Sequence, residues 1–248
     1  MRWSPGPTPS GIRSTGTLEA SPTFALIHSP FLGPASWRAT ADALSRLGET
    51  SRLVDLREAL RVGGGFHAAF GALAARQIDG PAVLVAHSGA GSIVSSILEQ
   101  MGNHATAVIL VDALLPHPGR SWFETAPDGL ARRLRATARD GLAPPWPRWL
   151  PEGALARLLP DVSMRETLIR EAPDVPLALL TEPAPIVSAT GPSGGQRYLQ
   201  LSAAYGDEAE QAHALGWRCE RFDGHHLSMM TDPTGVAAAI VNLAIELR

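Results

Sequence analysis

Short apolar runs alternate with longer segments whose apolar residues recur every three or four positions, from Phe24 almost to the end of the chain. Short runs of this kind fit buried strands, and the periodic segments fit amphipathic helices. That alternation folds as a parallel sheet with helices on its faces. Phe24-Ala25-Leu26-Ile27 is the first strand, and a helix over 34–47 lines up Trp37, Ala41 and Leu44. A short strand follows at 53–56. Gly63-Gly64-Gly65 breaks the chain, and Phe66 and Phe70, four apart, share one face of a helix reaching about Arg76. The run 81–85 predicts a strand, 92–98 a helix, and 107–111 a strand that ends at Asp112. Later, 198–201 reads as a strand, 207–215 as a helix, 218–222 as the last strand and 232–247 as a closing helix. The apolar run 175–181 competes with 197–202 for a place in the sheet, and the pattern does not choose between them.

The rhythm changes over 114–173. This stretch carries Trp122, Phe123, Trp146 and Trp149, nine prolines, and amphipathic pieces at 130–138 and 153–159. About sixty residues exceed what a plain crossover needs, which predicts a helical lid over 114–173 inserted in a core built from 21–113 and 174–248. Residues 1–20 are rich in Pro, Gly, Ser and Thr. They predict a loose arm, with a short strand near 15–18, and lack the apolar segment of a secretory signal.

Composition narrows the function classes. The chain has 248 residues, 45% of them hydrophobic, which suits one large α/β domain with a sizeable core. A net charge of −3 leaves no electrostatic footprint for nucleic acid or an anionic membrane. All 21 basic residues are arginine, so no lysine can form a pyridoxal Schiff base. The same arginine bias suggests a GC-rich bacterial source. Cys219 stands alone, which excludes an intrachain disulfide and a multi-cysteine metal site, and it is expected to be buried and inert. Scattered histidines show no metal spacing. No apolar run approaches the roughly 18 residues of a membrane span. The expectation is a soluble, cytoplasmic protein without cofactor or metal, acting on a small molecule and binding neither nucleic acid nor membrane. The oligomeric state is open.

Ser88 carries the candidate chemistry. It sits in Ala86-His87-Ser88-Gly89-Ala90-Gly91, between a strand and a helix. Small residues two before and two after the serine permit a tight turn that lifts the hydroxyl into a cleft. Helix N–H groups aimed at Ser88 would favour negative charge developing there. The stretch resembles the nucleophile elbow of the α/β-hydrolase family, with alanines replacing the usual glycines at both flanks. The resemblance covers about 23–247 and implies a mostly parallel sheet of six to eight strands.

A serine needs a general base, and the base needs an acid to orient it. Gly224-His225-His226-Leu227-Ser228-Met229-Met230 follows the last strand. It resembles the Gly-Asp-His-Phe-x-Met loop of polyketide-type thioesterase domains, which implies His226 as base. In other hydrolases of the fold the histidine directly follows a glycine, which keeps His225 open. The acid usually follows the strand before the last, where this chain offers Thr181-Glu182-Pro183-Ala184 or Ser202-Ala203-Ala204-Tyr205, with no aspartate. Asp112 fills the alternative place that polyketide-type thioesterases use, and Glu182 and Asp207 are the competing acids. For the oxyanion hole, the resemblance implies the N–H of Gly89 and one from His28-Ser29-Pro30-Phe31. Proline cannot donate, so Phe31 is the candidate and Ser29 the second. Ser29, His87, Trp122, Trp146 and Trp149 are expected to line the substrate site.

The resemblance implies a serine hydrolase acting on an ester or thioester of a mainly apolar small molecule, free or carried on a protein or coenzyme A, in secondary metabolism. Competing readings are a non-hydrolytic enzyme of the same fold (cyclase, lyase or isomerase) and a ligand-binding module.

Overall fold

The computed structural model describes residues 22–186 and 191–245. The arm expected over 1–20, with its strand near 15–18, lies outside the described residues. The chain begins with β1 (Thr23–Ile27), α1 (Ala35–Arg46), β2 (Ser51–Val54), α2 (Phe66–Ala75), β3 (Ala82–His87), α3 (Val94–Met101) and β4 (Ala105–Val111). A long excursion then holds α4 (Trp122–Thr125), α5 (Asp128–Thr137), β5 (Leu142–Ala143), α6 (Ala154–Leu158), α7 (Val162–Glu171), β6 (Val175–Pro176) and α8 (Leu177–Thr181). The chain returns through β7 (Gln196–Gln200), α9 (Gly206–Ala214), β8 (Arg218–Arg221), α10 (Ser228–Thr231) and α11 (Pro233–Ala244).

Six strands form one sheet in the order β2-β1-β3-β4-β7-β8, and each neighbouring pair is parallel. The run 175–181 is not a sheet strand. Its first two residues pair antiparallel with β5, and the rest is α8, so the place beside β4 goes to β7.

The central strands are buried on both faces, which is why β3 reads as an unbroken apolar run. Alternation sends Val83 and Val85 toward a core that includes Trp37, Leu44, Val236 and Ile240 of α1 and α11. Leu84 and Ala86 point to the opposite core, with Phe66 and Phe70 of α2 and Ile97 of α3. Each such leucine, valine or phenylalanine contributes about 1.5–3 kcal/mol by leaving water. Trp37 is fully buried, and its indole N–H is satisfied by the Ile27 carbonyl at 3.1 Å. Gly71 lets α2 lie directly on α3, because a Cβ there would come within 2.4 Å of the Ser96 carbonyl oxygen.

Two core helices lack caps of their own. Neither Pro34 before α1 nor Gly65 before α2 offers a capping side chain. Carboxylates from the excursion supply them. Glu171 accepts from the Ala35 N–H at 2.8 Å, and Glu182 accepts from the N–H groups of Phe66 and His67 at 3.0 and 2.9 Å. Negative charge is favoured at helix N-termini, so these contacts dock the excursion onto the sheet domain.

Candidate active site

The chain runs from β1 outward to β2, then crosses back to β3 on the other side of β1. The carboxyl ends of β1 and β3 therefore flank a switch point, where open α/β sheets leave a crevice. His28-Ser29-Pro30-Phe31 leaves β1 there, and Ser88 leaves β3. Asp112 leaves neighbouring β4, and His226 lies in the loop after β8.

Ser88 has φ +57°, a left-handed conformation that costs an L-residue about 1–2 kcal/mol. The turn is held by neighbours. The Ser88 carbonyl accepts from the Leu114 N–H at 3.1 Å, and the Ser92 hydroxyl donates to the Gly89 carbonyl at 2.8 Å. Gly91 is required here, since a Cβ would stand 1.8 Å from the Leu114 carbonyl oxygen. A 3-10 turn over Ser88–Ile93 intervenes before α3, so the regular helix starts later than the sequence suggested. Asp112 is the second left-handed site residue, at φ +45°.

His226 joins the two. Its Nε2 lies 3.0 Å from Ser88 Oγ, and its Nδ1 lies 2.7 Å from Asp112 Oδ2. Asp112 is fully buried. Its Oδ1 accepts from the N–H groups of Leu201 and Ser202, both at 2.9 Å, and its Oδ2 also accepts from the Ser202 hydroxyl at 2.7 Å. Burial pushes the Asp112 carboxyl up, but hydrogen bonds and charge from His226, with those of Ser202 and Leu201, outweigh it. The pKa lies below the ordinary aspartate value. An ionised Asp112 fixes the Nδ1–H tautomer and leaves Nε2 free to accept the serine proton, the arrangement a serine nucleophile needs.

The competing residues are turned elsewhere. The His225 N–H donates to Ser228 Oγ at 2.8 Å, its Nδ1 accepts from the Leu227 N–H at 3.2 Å, and its Nε2 lies 3.1 Å from Thr231 Oγ1. Glu182 is committed to capping α2, and Asp207 lies in the first turn of α9.

The loop after β1 packs over Gly89. A Cβ on Gly89 would meet the Phe31 ring at 2.9 Å and Ser29 Oγ at 3.1 Å, so only glycine fits between them and Ser88. The Phe31 N–H donates to Ser29 Oγ at 3.3 Å, which occupies the expected oxyanion donor with a side chain of its own loop. The excursion brings its aromatic residues to this place. Trp122 and Trp149 contact the Phe31 ring with centroids 5.5 and 4.9 Å away, and Trp146 lies 6.0 Å from the His226 ring. Ser88 is left only 5% exposed.

His87 corrects the expectation of a substrate contact. It is wholly buried, edge-on to Trp37, and its Nε2 donates to the His226 carbonyl at 2.9 Å. That bond ties His87 to the backbone of His226. Cys219 is half-buried rather than buried, and partial desolvation pushes its thiol up.

Two site residues escaped the sequence reading. Ser202 braces Asp112, and Tyr205 points its hydroxyl at Ser88 Oγ from 3.3 Å while stacking on His226, with ring centroids 5.0 Å apart and planes 3° from parallel. Both follow β7 in Ser202-Ala203-Ala204-Tyr205, and their position just past a strand end was the available signal.

No protein-family model matches the sequence, and comparison with curated proteins gives no match. Solved structures do match. An extracellular α/β-hydrolase from a Paenibacillus species, described as sharing structural and functional homology with tobacco salicylic acid binding protein 2, superposes with a TM-score of 0.73. It is 21% identical over 90% of this chain and 99% of that one. Tomato methylketone synthase I complexed with 2-tridecanone gives 0.67, at 14% identity over 92% and 100% of the two chains. A pyrethroid hydrolase from Sphingobium faniae gives 0.63, at 16% identity over 90% and 97%. The chain has the α/β-hydrolase fold. Among the described residues, no helix is long and apolar enough to cross a membrane.

Proposed function

We propose that this protein is a serine hydrolase that cleaves an ester or thioester of a mainly apolar small molecule through an acyl-enzyme. The observation that carries the reading is His226 set between Ser88 Oγ at 3.0 Å and a buried Asp112 at 2.7 Å. Ser88 attacks the carbonyl carbon as its proton passes to His226 Nε2, and the carbonyl electrons move onto oxygen. When the intermediate collapses, His226 returns that proton to the leaving group. Water repeats the cycle and frees the acid. The Gly89 N–H, with that of Phe31 once it is released from Ser29, is assigned to the oxyanion. The excursion acts as the lid, and Phe31, Trp122, Trp146 and Trp149 give the substrate an apolar wall. The acyl donor is a free ester or an acyl group on a carrier protein or coenzyme A. Fold relatives named as hydrolases support this reading.

Intact-protein mass spectrometry after incubation with a fluorophosphonate tests it. The expected result is one adduct on wild type and none on Ser88→Ala. A folded wild type without adduct would overturn the hydrolase reading. It would favour a non-hydrolytic enzyme of the same fold or a binding module.

A further inference from the structure

Ser88 Oγ has two hydroxyl or imidazole neighbours within hydrogen-bond distance, His226 and Tyr205. The direction of each bond follows from the charge on Asp112. Asp112 Oδ2 accepts a hydrogen bond from His226 Nδ1–H, so Nε2 carries no proton and accepts. Ser88 gives its single hydrogen to Nε2. The remaining contact, at 3.3 Å, is then Tyr205 O–H donating to Ser88 Oγ. Desolvation holds the Tyr205 hydroxyl well above its ordinary pKa, so the donor keeps its hydrogen through the neutral range.

The phenol ring lies flat against the imidazole, so its hydroxyl opens onto the same side of the nucleophile as Nε2. A leaving group must stand on that side to receive the proton from His226. Its first atom is attached to the carbon that Ser88 Oγ has just bonded, one carbon away from the oxygen that Tyr205 touches. We infer that Tyr205 is a further catalytic residue that donates a hydrogen bond to the leaving-group oxygen, which tunes this site to oxygen esters over thioesters. The inference rests on the acyl-transfer reading and narrows its substrate class.

The step balances without a new reactant. The bond from Ser88 Oγ to the carbonyl carbon forms, the bond from carbon to the leaving oxygen breaks, and its electron pair takes the proton held on His226 Nε2. Tyr205 keeps its own proton and only donates a hydrogen bond to the oxygen as negative charge builds on it. An oxygen accepts such a bond well, whereas thioester sulfur is a weak acceptor.

The test compares wild type with Tyr205→Phe on ethyl hexanoate and S-ethyl hexanethioate, which differ only in the leaving atom. The readout is kcat/KM, which covers acylation, alongside fluorophosphonate labelling of Ser88. Phenylalanine keeps the ring stacked on His226, so the thioester serves as the control for a disturbed fold. The expected result is an about tenfold fall in the ratio of kcat/KM on the oxygen ester to that on the thioester, the size of one neutral hydrogen bond. Equal losses on both esters, or no loss on either, would overturn the role of Tyr205 while labelling keeps the nucleophile intact. Wild type that labels but cleaves only the thioester, or neither ester, would do the same. Wild type that neither labels nor cleaves would overturn this inference together with the hydrolase reading.

Discussion

At the scale of single residues, Asp112 is asked to do three things. It stands at φ +45°, accepts from two backbone N–H groups of the chain after β7, and orients His226. Asparagine tolerates the left-handed region and keeps one acceptor, but it can donate to Nδ1 and so favours the wrong tautomer. Asp112→Asn should therefore lower turnover by about 10⁴-fold, as removal of the orienting charge does in serine triads, with its melting temperature close to that of wild type. Steady-state kinetics on any cleaved ester, with thermal unfolding, checks both halves. His87 gives a pH prediction. Burial drives its pKa well below 6.5, although Asp112 opposes this. The folded state holds His87 neutral, whereas the unfolded chain binds a proton as pH falls through about 6.5. This contribution is complete above that value and is lost as pH falls below it. Urea unfolding should show wild type losing about 1 kcal/mol more than His87→Gln between pH 6.5 and 5.5. Glutamine can still donate to the His226 carbonyl, so the difference isolates the titration.

At the scale of elements, helix caps and close approaches override local preference. Glu182→Ala should destabilise the fold by about 1 kcal/mol, because α2 loses the carboxylate that serves its first N–H groups. Labelling of Ser88 should persist, and loss of labelling in a folded variant would reinstate Glu182 as the acid. Gly71→Ala sets two effects against each other. Alanine favours the helix by about 1 kcal/mol. The added carbon meets the Ser96 carbonyl oxygen at 2.4 Å, and parting α2 from α3 costs about 1–3 kcal/mol. Denaturant titration should find the variant less stable than wild type. Most strands were legible in the sequence because double burial leaves a plain apolar run. The run 175–181 stayed undecided in the sequence because a short buried helix and a buried strand have the same composition, and only the pairing of β7 with β4 decides between them.

At the scale of the whole molecule, the excursion and the sheet domain share the site. Its tryptophans close over Phe31 and His226, and its carboxylates seat it on α1 and α2. If it opens to admit substrate, trimming the aromatic residue over the base should ease entry. Trp146→Ala should raise the labelling rate of a bulky fluorophosphonate relative to a small one. An unchanged ratio would mean that access runs by another route.

The sequence by itself determined the strand run, the tight turn at Ser88 and the histidine loop, because each depends on neighbours a few residues away. It also singled out Asp112, through its place at a strand end. Only the tertiary structure shows that the His226 ring, and not that of His225, faces a carboxylate 114 residues distant. It likewise gave Glu182 its capping role and brought Ser202 and Tyr205 to the site. Contacts between residues so far apart along the chain follow from the order of strands in the sheet, which leaves no local period to read.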